Sequence, residues 1–312
     1  METILVPLDG SELAGLALPH AELFGKLLGA EIRLLHVVTE GDQQGFIIER
    51  ERLMRIATPA GPVTVETDPS LQLHARTYLE QEATKLRAQG AQVQTEIAFG
   101  TPVEQIVAAA ERCAARLIVM ATHGRSGIGR WLIGSVAHSV MRLTARPLLT
   151  IRNTTPVPSA LQRIMVPLDG SPLAREALPM ALDLAQRTGA TLMLLSVLTP
   201  QHGIDNTAAK GTLREQMLHE LGALVADCRD LSIITMVGEG HVGDSICHEA
   251  AQHAADLIVM TSHGQSGLHH FALGSVTDKV LHGTQVPVLV MHSLAQYAEA
   301  VGAAGQMRHR SD

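Results

Sequence analysis

The chain has 312 residues, 46% hydrophobic and 18% charged, a globular composition long enough for two domains of ordinary size. A net charge of −7 and only 2% aromatic residues supply neither the basic face nor the stacking platforms of a nucleic-acid binder, so small molecules and other proteins are the expected partners. No stretch approaches the roughly 20 apolar residues of a membrane span, METILVPLDG lacks the basic region of a signal peptide, and three cysteines in no metal-type spacing fit reduced thiols in a cytoplasmic protein.

The first apolar run, TILVPLD (3–9), predicts a strand, followed by helical periodicity over 11–28. EIRLLHVV (31–38) is the second strand. Residues 39–69 are polar and broken by Gly and Pro, the character of an excursion. Then come a helix over 70–89, the strand VQTEIAF, a helix over 102–114, the strand RLIVMA, a helix over 134–145 and the strand PLLTI (147–151). None of these strand runs alternates cleanly, as expected where both faces are covered. RNTTPVPSALQ (152–162) has the composition of a linker. The same order then recurs with RIMVPLD, TLMLLSVL, LSIITMV, LIVMT and PVLVM (287–291), and a small, polar tail follows His292.

The recurrence is a duplication. VPLDGS occupies 6–11 and 166–171, an offset of 160 (166 − 6). LIVMATHGRSG (117–127) matches LIVMTSHGQSG (257–267), and GSV at 134–136 matches GSV at 274–276, both at an offset of 140. About twenty extra residues (160 − 140) therefore lie between these blocks in the first copy, within 39–69. Parallel strands need crossover helices, so the expected fold is α/β: two doubly wound five-stranded parallel sheets in tandem. The expected boundaries are 1–152 and 161–292, with a linker at 153–160 and a tail at 293–312.

In such sheets ligands bind beyond the carboxyl ends of the strands. Asp9-Gly10-Ser11 and Asp169-Gly170-Ser171 sit there. Each serine suits a helix N-cap. A carboxylate at the end of a buried strand either caps locally or meets a ligand hydroxyl or amine. The longest signal is HGRSGIGRWLIGS, matched by HGQSGLHHFALGS. In each, a Gly-rich loop runs to a Gly-Ser pair that opens a helix, where bare amides and the helix dipole can hold a phosphate without a lysine. The plain alternative is a mobile loop with an ordinary serine cap. GEGHVG (238–243) satisfies G-x-G-x-x-G but follows the third strand of its repeat, and the first copy keeps only Gly100 there. The His269-His270 pair reads as solvated rather than metal-binding.

Taken together, these motifs resemble the universal stress protein family in its tandem form, over nearly all of 1–292. The loop that marks the ATP-binding members, G-x2-G-x9-G-[ST], falls on Ala121, Gly124, Gly134 and Ser135, and on Thr261, Gly264, Gly274 and Ser275. Both copies depart at the first glycine. The first copy carries Arg125 and Gly129-Arg130 where the second has Gln265 and His269-His270, and so offers more positive charge to a triphosphate. The resemblance implies a Rossmann-like sheet in the order 3-2-1-4-5. It implies that Asp9 and Asp169 face the adenosine moiety and that the backbones of Val37 and Val197 meet adenine. The flanking Pro7, Met120, His123, Arg125, Gly127 and Val136, with Pro167 and His263, complete the implied site. The cofactor would be ATP or another adenine nucleotide, with or without Mg2+. Family members pair through the last strand, so PLLTI and PVLVM would join the halves as an intramolecular pseudo-dimer, with a further homodimer left open. Three functions compete: an ATP-binding regulator without efficient catalysis, a nucleotide-free interaction scaffold, and a slow ATPase using His123 or His263.

Overall fold

The computed structural model of the chain describes residues 1–39, 69–122, 134–152, 155–200, 207–263 and 273–292. In the first half, strands β1 (Thr3–Pro7), β2 (Glu31–Val38), β3 (Val93–Phe99), β4 (Leu117–Ala121) and β5 (Leu148–Ile151) alternate with helices. These are α1 (Glu12–Gly15), α2 (Ala17–Leu28), α3 (Pro69–Ala88), α4 (Pro102–Arg112) and α5 (Ser135–Leu143). The second half repeats the order with β6 (Arg163–Pro167), β7 (Thr191–Leu198), β8 (Ile233–Glu239), β9 (Leu257–Thr261) and β10 (Val288–Met291). Its helices are α6 (Pro172–Arg175), α7 (Leu178–Thr188), α8 (Thr207–Ala223), α9 (Val242–Gln252) and α10 (Ser275–Gly283).

Each half is a parallel sheet in the expected order: β3-β2-β1-β4-β5, and β8-β7-β6-β9-β10. The two are not separate sheets, however. β5 and β10 pair antiparallel with Leu149 opposite Leu289, so the ten strands form one sheet. Thr150 adds a side-chain bond, its hydroxyl donating to the Val288 carbonyl at 3.0 Å. An unpaired terminal strand exposes a row of amide and carbonyl groups, and this pairing satisfies one such edge from each half.

The unbroken apolar runs are explained by burial on both faces. On β1, Ile4 and Val6 pack into one core layer with α2 and α3, while Leu5 packs into the other with α4 and α5. Ile164 and Val166 against Met165 repeat the division on β6, and both layers continue through the two halves.

One element differs from expectation. The helix predicted over 11–28 is two helices separated at Leu16, and α6 and α7 show the same break. Pro19 and Pro179 have no N–H to donate four residues back, which confines each proline to the first turn of a new helix. The predicted excursion, apart from Thr39 and Pro69, and the C-terminal tail lie outside the described residues.

Candidate functional site

The winding of each half reverses between its first and fourth strands, β1/β4 and β6/β9. A crevice forms beyond the strand ends at that point. The first half has a cavity of about 310 Å³ there and the second one of about 430 Å³.

The strand-end motif Asp-Gly-Ser builds one wall. Ser11 caps α1: its hydroxyl accepts from the Ala14 amide at 3.1 Å, and Ser171 does the same for Ala174. The carboxylate Oδ1 of Asp9 accepts from the Ser11 amide at 2.9 Å and from its hydroxyl at 2.6 Å. Asp169 accepts from the Ser171 amide at 2.9 Å. The glycine between them has φ of +80° in one half and +82° in the other, a backbone state that side chains disfavour. Ser11 and Ser171 are thus caps. Asp9 and Asp169 fix the turn and also line the cavities.

The opposite wall is the start of α5 and α10. Gly134 and Gly274 are the N-cap residues and provide no side-chain cap. The first amides of each helix therefore face the crevice without a side-chain acceptor from their own cap. Gly274 has a steric reason to be glycine. Its amide donates to the Ser262 carbonyl at 2.9 Å, and a Cβ there would sit 2.7 Å from that oxygen. Gly134 makes the matching bond to the Thr122 carbonyl.

The first cavity brings together Pro7, Asp9, Val37, Met120, Ala121, Gly134, Ser135 and Val136. The second brings together Pro167, Asp169, Val197, Thr261, His263, Gly274 and Ser275. His123, Gly124, Arg125, Gly127 and Gly264 lie outside the described residues. Ala121 and Thr261, which replace the glycine of the loop motif, do not close either crevice; the cavity with threonine is the larger one.

Sequence reasoning missed Thr39 and Thr199, Ile106 and Ile246, and Met217, all of which line the cavities. The isoleucines carried a faint signal, being buried positions at the start of helices that follow edge strands. Met217 carried none, because its position depends on how α8 leans over the sheet.

The two sites differ electrostatically. The first turn of α5 has no acidic residue, whereas α10 carries Asp278 there. A carboxylate near the positive end of a helix competes with a bound anion. Among the described residues no lysine or arginine lines either cavity, and no cluster of His, Cys, Asp or Glu could hold a metal ion.

Beneath the second cavity, Ser262 Oγ lies 3.1 Å from Nδ1 of both His263 and His292. A hydroxyl has one proton, so one imidazole accepts from it and the other donates to it. Burial, followed by the neighbouring His263, lowers His292 from 6.5 to about 4 and keeps it neutral at pH 7.

The model of the universal stress protein family matches residues 1–152 and again 160–292. The chain belongs to the universal stress protein family. A universal stress protein of Mycolicibacterium smegmatis is 26% identical over 300 residues, covering 92% of this chain and 96% of its own. One from Methanocaldococcus jannaschii is 31% identical over 155 residues, 48% of this chain and 93% of its own length. A crystal structure of a universal stress protein from Archaeoglobus fulgidus superposes with a TM-score of 0.68 at 23% identity. It covers 93% of this chain and 96% of that one. The chain is thus a tandem member, with one family unit per half. Among the described residues no helix is long and apolar enough to cross a membrane.

Proposed function

We propose that the chain binds an adenine nucleotide, ATP foremost, at the strand ends of each half, and acts as a stress-response regulator without efficient catalysis. The observation that carries this reading is the uncapped start of α5 and α10 against an open crevice, 310 to 430 Å³ in volume. That volume suits a small-molecule site. Bare amides at a helix start suit a phosphate, and the close approach at Gly274 leaves room for backbone only. The apolar lining from Val37, Met120 and Ile106 suits a base, and Asp9 suits a ribose hydroxyl. A divalent cation such as Mg2+ would arrive on the phosphates rather than in a protein cage.

The first half is the stronger site in this reading, since Asp278 opposes an anion only in the second. Ligand that favours one arrangement of the halves would shift the chain toward it. The antiparallel contact of β5 with β10 supports reading the chain as a fused dimer of units at 1–152 and 161–292, joined by 153–160, in the cytoplasm. The open crevices weigh against a nucleotide-free scaffold.

Acid extraction of the purified protein, followed by chromatography, should release adenine nucleotide. Added ATP should raise the melting temperature, because a ligand of the folded state alone stabilises it. No released nucleotide and no shift at millimolar ATP would sink the proposal.

A further inference from the structure

Arg152 and His292 occupy matching places, one residue beyond β5 and β10 (292 − 140 = 152). Of the two, Arg152 bonds across the seam between the halves. Arg152 Nη1 donates to the carbonyls of His282 at 2.7 Å and Thr284 at 2.8 Å, at the C-terminal end of α10 in the other half. His292 bonds within its own half, its Nδ1 to Ser262, and its buried Nε2 has no hydrogen-bond partner among the described residues. The opposite end of α10, Gly274–Thr277, walls the second cavity.

We propose that Arg152 is a positioning residue, through which the first half sets the phosphate-facing helix of the second half, α10. The significance for ligand binding rests on reading the cavities as nucleotide sites; the contact across the seam does not. The last carbonyls of a helix lack intrahelical partners, and a cation there complements the dipole. Helices α5 and α10 each have nine residues, about 13 Å in length, short and stiff enough that fixing one end aims the other. The two residues are chemically unequal. The guanidinium is permanently charged and bonds two carbonyls, whereas His292 is neutral and shares its Nδ1 with Ser262. The second cavity's helix is therefore held more firmly from across the seam than the first.

Hydrogen exchange on the ligand-free full chain tests this. Arg152→Met should speed amide exchange within 275–283 by about fivefold or more and leave 135–143 within about twofold. Arg152→Lys should restore part of the protection. A change confined to 135–143, an equal change in both helices, or none would overturn the proposal. The exchange pattern requires no nucleotide. A chain that binds none yet shows the pattern would refute the nucleotide reading alone; a chain that binds ATP without the pattern would refute the positioning alone.

Discussion

The hydroxyl of Thr277, in the first turn of α10, donates to the carbonyl of Thr261 at 3.0 Å and to that of Ser262 at 3.2 Å, tying the end of β9 to the helix that faces it. The first half has Ala137 and Ala121 at the matching places and no such tie. Thr277 is buried, and its removal takes a donor from both carbonyls, of which that of Ser262 keeps the Gly274 amide. Thr277→Ala should cost about 1–2 kcal/mol of stability, read as a lower urea midpoint, and Thr277→Ser should recover most of it. An unchanged midpoint for the alanine variant would contradict this role.

The glycines that open α5 and α10 should be the most sensitive positions of the sites. A carboxylate introduced there both fills the crevice and repels phosphate at the helix start. Gly134→Asp should weaken overall ATP binding by at least about tenfold, equivalent to about 1.4 kcal/mol. Gly274→Asp should weaken it less, since Asp278 already disfavours an anion in that half. Calorimetric titration of the two variants would show equal losses if the sites are equivalent.

Acid should destabilise the chain through a histidine that lines neither crevice. His20 on α2 is 1% exposed and neither ring nitrogen has a hydrogen-bond partner among the described residues. Burial lowers it from 6.5 to about 4. The unfolded chain therefore takes up a proton first as the pH falls. The contribution of neutral His20 is intact above about pH 6.5 and is lost progressively down to about pH 4, a loss on the order of 2–3 kcal/mol. The second half has Met180 at the matching position. His20→Met should flatten the fall in melting temperature between pH 7 and pH 4.5. A parallel fall in variant and wild type would show that other groups, His292 among them, dominate.

Much of this was legible in the sequence for physical reasons. VPLDGS, twice, combines a strand end, a glycine that tolerates positive φ and a serine cap, and each property is local. Strands such as LIVMA were legible because burial on both faces leaves no polar alternation. The break at Leu16 was missed because Pro19 acts four residues back from where it stands. The Thr277–Thr261 tie and the Arg152 contact join residues 16 and more than 100 positions apart, and no local pattern encodes them. The single continuous sheet was anticipated only as a pairing of PLLTI with PVLVM.

The account depends most on main-chain amides at the start of α5 holding a polyphosphate. Amide resonances of Ser135 and Val136, followed by NMR during titration of the full chain, test that directly. The account predicts large shifts with ATP and small ones with adenosine, which lacks the phosphates. Equal shifts with both ligands, or none with ATP, would contradict it.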